Sequence, residues 1–523
     1  MRPTIKIFRS GKLICKTEGV MGESLLERIS AVDIFIDAPC GGKGRCAKCL
    51  IRLSPQGEQV LACRTYIDGD MDIYLPEEME MKIAHSGEAK LLNCVDRPYL
   101  SIEKKRLGVA VDIGTTTVVA HLTDIVSGKR LATASGVNAQ RQFGADVISR
   151  IQYCADNGHI RLTQVIREQL ESLISHTCIL SGESLADIGY ISIAANTIMQ
   201  HLCAGYSPVS MGVAPFDMVS NFGDEHPAWE SLCVAKGAKV YYTPAISAYV
   251  GGDITAGLYA AGLEETDGPV VYVDIGTNGE LVMKIGQAYY CCATAAGPAF
   301  EGAEITMGMA AVNGAINQVY WKDGLKVSVL GDKPPSGICG SGLLDCLAVL
   351  LETGAVDESG RLLDSDEISH EIAEFIGETQ GDNVFWLSKA GNGVYMSSKD
   401  IRKLQLAKSA IAAGIQTLLN YAGICEDEVK SFVLAGGFGS FMNHFSAARI
   451  GLFPRTFLPV TKTVGNTAGE GATLALLTAD ARIGLDDIKS RCKHVELSTS
   501  KVFNEAFIEH ILFEDREGCS DGG

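Results

Sequence analysis

Long apolar runs are missing from this sequence. No stretch of the 523 residues reaches the 18 or so consecutive apolar positions of a membrane-spanning helix. The opening decapeptide, MRPTIKIFRS, has no apolar core of the secretory kind. Positive charge is in short supply too: 45 Lys and Arg against 63 Asp and Glu give a formal net charge of −18. A surface of that sign repels nucleic-acid phosphates and anionic lipid, so neither nucleic acid nor a membrane is an expected partner. No G-x4-G-K-[ST] motif is apparent, which argues against a P-loop nucleotide site. A cytoplasmic location is expected.

Cysteine, by contrast, is plentiful. Seventeen cysteines without an export signal argue against a disulfide framework and leave some of them available to a metal centre. The hydrophobic and charged fractions, 46% and 21%, are those of an ordinary globular chain with large buried cores. The 57 glycines are dispersed, so they read as tight turns rather than low complexity.

The first 76 residues read as a small β-rich unit. Residues 3–9 and 12–16 form an expected hairpin around Ser10-Gly11, and residues 22–30 a short helix. Strands are expected at 50–53, 59–63 and 71–75. Within this unit stands C-x5-C-x2-C-x13-C: Cys40, Cys46, Cys49 and Cys63. A [2Fe–2S] cluster takes four thiolates on two adjacent irons. Gly41, Gly42 and Gly44 let a tight loop bring three of them, and its backbone N–H groups, close to the sulfides. The fourth comes from a neighbouring strand. A structural zinc site would show paired C-x2-4-C units, and this chain has one such unit flanked by two lone cysteines. The first spacing is one residue longer than the plant-type x4. The other thirteen cysteines, Cys291-Cys292 and Cys339 among them, form no second ligand set and read as core residues.

Residues 77–106 are charged and without periodicity, and read as a linker. Apolar strands, glycine turns and amphipathic helices follow. Val109-Ala110-Val111-Asp112 runs into Ile113-Gly114-Thr115-Thr116-Thr117, and Val270-Val271-Tyr272-Val273-Asp274 into Ile275-Gly276-Thr277-Asn278-Gly279. The two units stand about 160 residues apart, far beyond a solenoid period, and mark two related α/β halves. Each turn ends a strand with an aspartate and then offers N–H groups and hydroxyls. That chemistry suits phosphate oxygens and a Mg²⁺ reached by the carboxylate through water. A third strand, Phe432–Ala435, runs into Gly436-Gly437-Phe438-Gly439.

These turns resemble the superfamily of actin, hexokinase-type sugar kinases and heat-shock-70 ATPases, in which ATP lies between two lobes. The resemblance implies that Asp112, Gly114, Thr115 and Thr116 form a first phosphate loop. Asp274, Gly276, Thr277 and Asn278 form the second, with Gly436 and Gly437 approaching the nucleoside. Asp112 and Asp274 are the catalytic candidates. With the N-terminal cysteines, the whole chain resembles the reductive activators of corrinoid proteins. Further blocks carry that likeness without assigning themselves a role: 138–140, 144–150, 196–202, 251–253, 296–303 and 340–342. The expected architecture is α/β overall: a β-grasp ferredoxin-like domain (1–76), a linker (77–106), and a two-lobed, actin-like (ribonuclease-H-like) ATPase domain. Its lobes span 107–267 and 268–480, and a tail (481–523) packs on it.

The resemblance implies a [2Fe–2S] cluster, ATP and Mg²⁺ as cofactors, and one-electron reduction of a corrinoid from Co(II) to Co(I). It implies as partners a corrinoid protein, a low-potential donor such as ferredoxin or flavodoxin, and a second copy in a homodimer. Plant-type clusters sit near about −400 mV, and each 100 mV uphill costs roughly 2.3 kcal/mol per electron. A coupled ATPase therefore makes physical sense. Two departures from longer members stand out: the short 77–106 segment implies that a middle domain is missing or reduced, and no C-x2-C-x2-C-x3-C-P unit occurs. Other readings are an ATP-dependent activator of another low-potential enzyme, such as a 2-hydroxyacyl-CoA dehydratase, and a small-molecule kinase with a fused redox domain. In the kinase reading Asp253 and Glu301 are the candidate bases. A chaperone-like module is disfavoured, because few residues follow 480.

Overall fold

A computed structural model describes residues 2–32, 49–76 and 105–513, less Ala303, Gln380, 390–392 and Ser440, together with Ile34, Ile36, Ala38, Gly42 and Gly44. Cys40, Cys46 and nearly all of the expected linker lie outside the described residues.

The N-terminal unit is built on β1 (Thr4–Arg9), β2 (Lys12–Glu18), β3 (Leu50–Arg52), β4 (Gln59–Leu61) and β5 (Met71–Leu75). Their order is β2-β1-β5-β3-β4, with β1 parallel to β5 and the other pairs antiparallel. The helix α1 (Leu25–Ser30) starts later than residue 22, because Ser24 and Glu27 close a capping box at that point. Alternation along β1 turns Ile5 and Ile7 inward, onto Leu25 and Ile29 of α1. This is the β-grasp arrangement. One strand is shorter than the sequence suggests: it ends at Leu61, and Ala62–Arg64 coil into a 3₁₀ turn. The hydroxyl of Thr65 donates to the Leu61 carbonyl at 2.9 Å and holds that turn.

The next sheet comprises β6 (Leu107–Ile113), β7 (Thr117–Asp124), β8 (Arg130–Val137), β9 (Ile188–Ala195), β10 (Glu225–Pro227) and β11 (Lys239–Tyr242). Between them run α2 (Val147–Asn157), α3 (Ile160–Ser181) and α4 (Thr197–Ala204), and α5 (Gly252–Ala260) follows. The third sheet holds β12 (Val270–Ile275), β13 (Gly279–Ile285) and β14 (Ala288–Thr294). Two small three-stranded sheets are inserted after it: β15 (Ala315–Trp321), β16 (Leu325–Val329) and β17 (Gly337–Ile338), then β18 (Ile376–Thr379), β19 (Asp382–Ser388) and β20 (Val394–Ser397). The helices here are α6 (Gly340–Thr353), α7 (His370–Ala373) and α8 (Ser398–Ala422). The third sheet is completed by β21 (Ser431–Ala435), β22 (Thr461–Gly465) and β23 (Cys492–His494).

The two six-stranded sheets repeat one plan. The first runs β8-β7-β6-β9-β11-β10 and the second β23-β14-β13-β12-β21-β22. In each, the aspartate strand has an antiparallel hairpin partner on one side and parallel strands on the other. Such strands are buried on both faces and read as continuous apolar runs, as Val109–Val111 and Val270–Val273 do. Edge strands β10 and β23 have no counterpart in the other half.

After β21 come a helical turn, α9 (Gly436–Gly439), then α10 (His444–Arg449). The chain then returns to the first half. Helix α11 (Thr467–Leu477) packs on β6, β9 and α5, its Ala468, Ala472 and Ala475 against Ala110, Ala194 and Ala256. Residue 480 falls in the first turn of α12 (Ala479–Arg491). The end of the chain, α13 (Lys501–Glu509), lies along α8. There Lys408 Nζ and Gln405 Nε2 donate to the carbonyls of Leu512 and Ile511. Of the cysteines outside the N-terminal unit, Cys291, Cys292 and Cys339 are core residues, whereas Cys233 and Cys425 lie at the surface. Among the described residues no helix is long and apolar enough to cross a membrane.

Leu343 on α6 is fully buried in the largest core, and Ile179 on α3 is 77% exposed. Leu343→Ala is expected to cost about 2–5 kcal/mol, and Ile179→Ala less than about 0.5 kcal/mol. Denaturant melts of the two variants check the difference.

Candidate functional site

The first aspartate turn is held from behind. Asn138 Nδ2 donates to the Gly114 carbonyl at 2.8 Å, and Asn138 N to that of Thr116 at 2.8 Å. Between them, Arg150 Nη2 donates to the Thr115 carbonyl at 2.6 Å. All three carbonyls of the turn are thus occupied on one side. Within a trans peptide plane the N–H opposes the C=O, so the N–H groups of Thr115 and Thr116 point the other way. Adjacent amides directed alike are the geometry from which anion-binding backbone nests are made.

Arg150 itself is completely buried. Its other hydrogen bonds run to Gly144 O at 3.1 Å, Gln140 Oε1 at 3.5 Å and Met199 Sδ at 2.9 Å. All four acceptors are neutral. Burial, with Arg141 nearby, pushes the guanidinium down to about 9. The sequence blocks 138–140, 144–150 and 196–202 therefore find a common place: they build the bracket behind the first turn. The resemblance singled out the block that holds Arg150 but gave that residue no role, because an arginine near a helix N-terminus ordinarily reads as a solvated residue.

The second turn is built alike but without a bracket of that kind. Gly276 N donates to Asn278 O at 2.9 Å, and Asn278 Nδ2 to Glu280 Oε1 at 3.3 Å. The two turns meet. Thr116 Oγ1 and Thr277 Oγ1 are 2.8 Å apart, so residues 161 positions apart in sequence share a hydrogen bond across the two sheets.

The aspartates stand just behind. Asp112 Oδ2 accepts from Asn466 Nδ2 at 2.8 Å. Asn466 also caps α11, its Oδ1 accepting from Gly469 N. The sequence reading missed Asn466; its signal is an asparagine opening the small-residue run Thr467–Ala472. Burial raises Asp112 to about 6 against the effect of Asn466. Burial and the charge of Asp112 raise Asp274 to about 7. Asp253, in the first turn of α5, is raised to about 8 by burial, then by Asp274 and Asp112. Glu280 is raised strongly by burial, then by Asp253 and Asp274. Four carboxylates thus feel one another in a buried space. Among the described residues, no three His, Cys, Asp or Glu side chains are grouped closely enough to hold one ion directly.

The two glycines of the third turn behave differently. Gly436 has φ +83°, and a Cβ there would lie 2.4 Å from Asp274 Oδ1. Only glycine fits that position. A Cβ on Gly437 would meet nothing within 4 Å. The third turn is therefore built against the second aspartate through Gly436 alone.

In the N-terminal unit, Cys49 directly precedes β3 and Cys63 is the second residue after β4. Ala62 N donates to Cys49 O at 2.8 Å, which continues the β3–β4 pairing and brings both cysteines to one end of the hairpin. A Cβ on Gly42 would lie 3.8 Å from Cys63 Cβ, so the glycine loop passes beside that cysteine.

Comparison with known proteins gives these findings. Residues 107–266 match the family described as the RACo middle region. Residues 268–518 match the C-terminal domain of RACo, the ASKHA domain. The expected loss of a middle domain is thereby corrected: the stretch matching that region begins at β6 and carries the first aspartate turn. The corrinoid activation enzyme RamQ of Eubacterium limosum is 30% identical, over 95% of this chain and 97% of its own. A reductase of the Co(II) methylated-amine-specific corrinoid protein, from Methanosarcina barkeri, is 24% identical over 78% of this chain and 77% of its own. The solved structure of a reductive activator for a corrinoid, iron–sulfur protein superposes with a TM-score of 0.72, at 29% identity over 98% of both chains.

Two variants test the architecture of the site. Gly436→Ala is expected to weaken ATP binding by about tenfold or more, read by calorimetry. Arg150→Met leaves the Thr115 carbonyl without its donor, at a cost of about 1–3 kcal/mol. Faster hydrogen exchange at residues 114–117 than in the parent chain is the expected signature.

Proposed function

The chain belongs to the family of reductive activators of corrinoid proteins, and from that premise we propose how its residues divide the work. The activity is ATP-dependent reduction of a corrinoid protein, Co(II) taking up one electron to become Co(I). The observation that carries the reading is the meeting of Thr116 and Thr277 at 2.8 Å, in a chain that matches activators over nearly its whole length.

In this reading ATP lies between the two halves. The N–H groups and hydroxyls of Gly114, Thr115 and Thr116 take one set of phosphate oxygens, and those of Gly276, Thr277 and Asn278 the other. Gly436 and Gly437 border the nucleoside. Mg²⁺ fits the donor set: burial raises Asp112, Asp253, Asp274 and Glu280, neighbouring carboxylates raise the last three further, and a divalent cation would offset both effects. Among the described residues no three such side chains are grouped to hold an ion directly, so Mg²⁺, which usually keeps several waters, would be reached through them. Asp112 and Asp274 are the residues that would hold it, Asp112 being oriented by Asn466.

The N-terminal thiols fit a [2Fe–2S] cluster. Cys49 and Cys63 are side by side at one end of a hairpin, buried, with the glycine loop alongside. Cys40 and Cys46 complete the set by sequence. When bound, such a cluster supplies a one-electron donor of low potential. A low-potential ferredoxin or flavodoxin would reload it. We further propose a cytoplasmic location, from the many cysteines without an export signal, and a homodimer, as the sequence resemblance implies.

ATP couples to the electron only if the closed and open arrangements of the two halves differ in affinity for the corrinoid protein or for its Co(II) and Co(I) states. Activation running equally well without ATP, at the same donor potential, would contradict this.

The test is an anaerobic absorbance record of a corrinoid protein mixed with this chain, ATP and a low-potential reductant. The Co(I) band is expected only when all are present. Cys63→Ser is expected to abolish it and the cluster's visible absorbance, with ATP affinity unchanged within about twofold. Loss of ATP binding as well would make the N-terminal unit a structural part of the ATPase.

A further inference from the structure

Glu301 differs from the other carboxylates near the cleft. They stand behind the turns, and it lies between them. Thr116 Oγ1 donates to Glu301 Oε2 at 2.7 Å. Thr277 Oγ1 lies 3.3 and 3.2 Å from the two carboxylate oxygens. The two hydroxyls are themselves 2.8 Å apart. A Cβ on Gly276 would come within 3.8 Å of Glu301 Oε1, so the carboxylate lies over the second turn. Each hydroxyl has one proton. Two protons serve this triangle, and at least one of them is drawn to the anion.

Two hydroxyls, one from each phosphate turn, thus converge on one pair of anionic oxygens. A phosphate accepts from such donors as a carboxylate does. The two anions repel each other at this range and cannot both take the same pair of protons. We propose that Glu301 reads the terminal phosphate of the nucleotide, and so sets the discrimination between triphosphate and diphosphate. This rests on the reading of the two turns as an ATP site. With ADP, the carboxylate keeps both hydroxyls and ties the turns together. With ATP, the γ-phosphate takes them and expels the carboxylate.

The segment bearing Glu301 is tied to the third turn. Glu301 sits in a tight turn, its N–H donating to Pro298 O at 3.1 Å and that of Gly302 to Ala299 O at 3.0 Å. The preceding Phe300 is fully buried, and its ring stacks on Phe438 at 5.6 Å and 14°. Phe438 belongs to the turn whose Gly436 touches Asp274. Movement of Glu301 therefore bears on the first, second and third turns together. This also gives the block 296–303 a task that its sequence left open.

The experiment is calorimetric titration of the full chain with MgATP and with MgADP, in parent and Glu301→Gln forms. The amide keeps size and acceptor but removes the charge. ATP is expected to bind about tenfold more tightly relative to ADP, with ADP unchanged within about twofold. A parallel change in both affinities, or a weakening of ATP alone, would overturn the proposal; the second result would mean that the carboxylate assists the bound triphosphate. If Glu301→Gln melts early, Glu301→Asp replaces it. That shorter side chain keeps the charge but cannot reach both hydroxyls, and the same direction is expected. A parent chain that bound neither nucleotide would overturn the site reading along with this one.

Discussion

A guanidinium buried beneath a turn organises this molecule. Arg150 gives its shortest hydrogen bond to the Thr115 carbonyl, and every acceptor around it is neutral. A buried cation without a hydrogen-bonded carboxylate is costly unless something compensates for it. Here the nearby charge of Asp146 compensates in part, and in the proposed reading phosphate across the turn would add to it. The bracket fixes three carbonyls and so turns the intervening amides the other way, and on the proposed reading it would couple stability to a bound anion. Asn138, Met199 and Gly144 belong to it for geometric reasons, since each supplies one contact that keeps the guanidinium or the turn in place.

The acidic side of the cleft reverses this logic. Desolvation raises Asp112, Asp253, Asp274 and Glu280, and the charges of neighbouring carboxylates raise all but Asp112 further. In the proposed reading, cation and triphosphate arriving as a pair would satisfy the carboxylates and the arginine at once. On that proposal the site favours a metal–nucleotide complex over either part alone. Asn466 adds a third tie. It caps the helix that returns to the first half, and it orients the aspartate at the end of the first half's central strand. Helix position and carboxylate position cannot change independently.

Much of this was legible in the residues, and the illegible parts share a cause. The two Asp-Ile-Gly-Thr turns announce themselves because a strand, an aspartate and a glycine turn are local patterns, and their repetition marks two related halves. The matching strand orders of the two large sheets fit that repetition. Arg150, Asn466 and Glu280 carry no such mark. Each owes its role to burial against a partner distant in sequence, and a charged residue in a sequence reads as exposed until packing says otherwise. The strand thought to include Cys63 ends at Leu61 for a local reason, the side chain of Thr65 competing for the strand's last carbonyl. The middle region was misjudged on length. A short charged segment before the first aspartate strand suggested a deletion, whereas the stretch that matches the region starts with that strand.

The return of α11 has a bearing on how the chain comes off the ribosome. Ala110 and Ala194, on the central strands of the first half, are covered by a helix that begins at Thr467. Until that helix is made, a face of apolar residues lies open to solvent, although the strands that bear it were synthesised hundreds of residues earlier. At about 5–20 residues per second, the wait is tens of seconds. The first half is thus an unfinished layer through most of translation. Its alanines suit that interval: they are small enough to admit a late helix closely, and modest enough in apolar area to limit the attraction of other nascent chains.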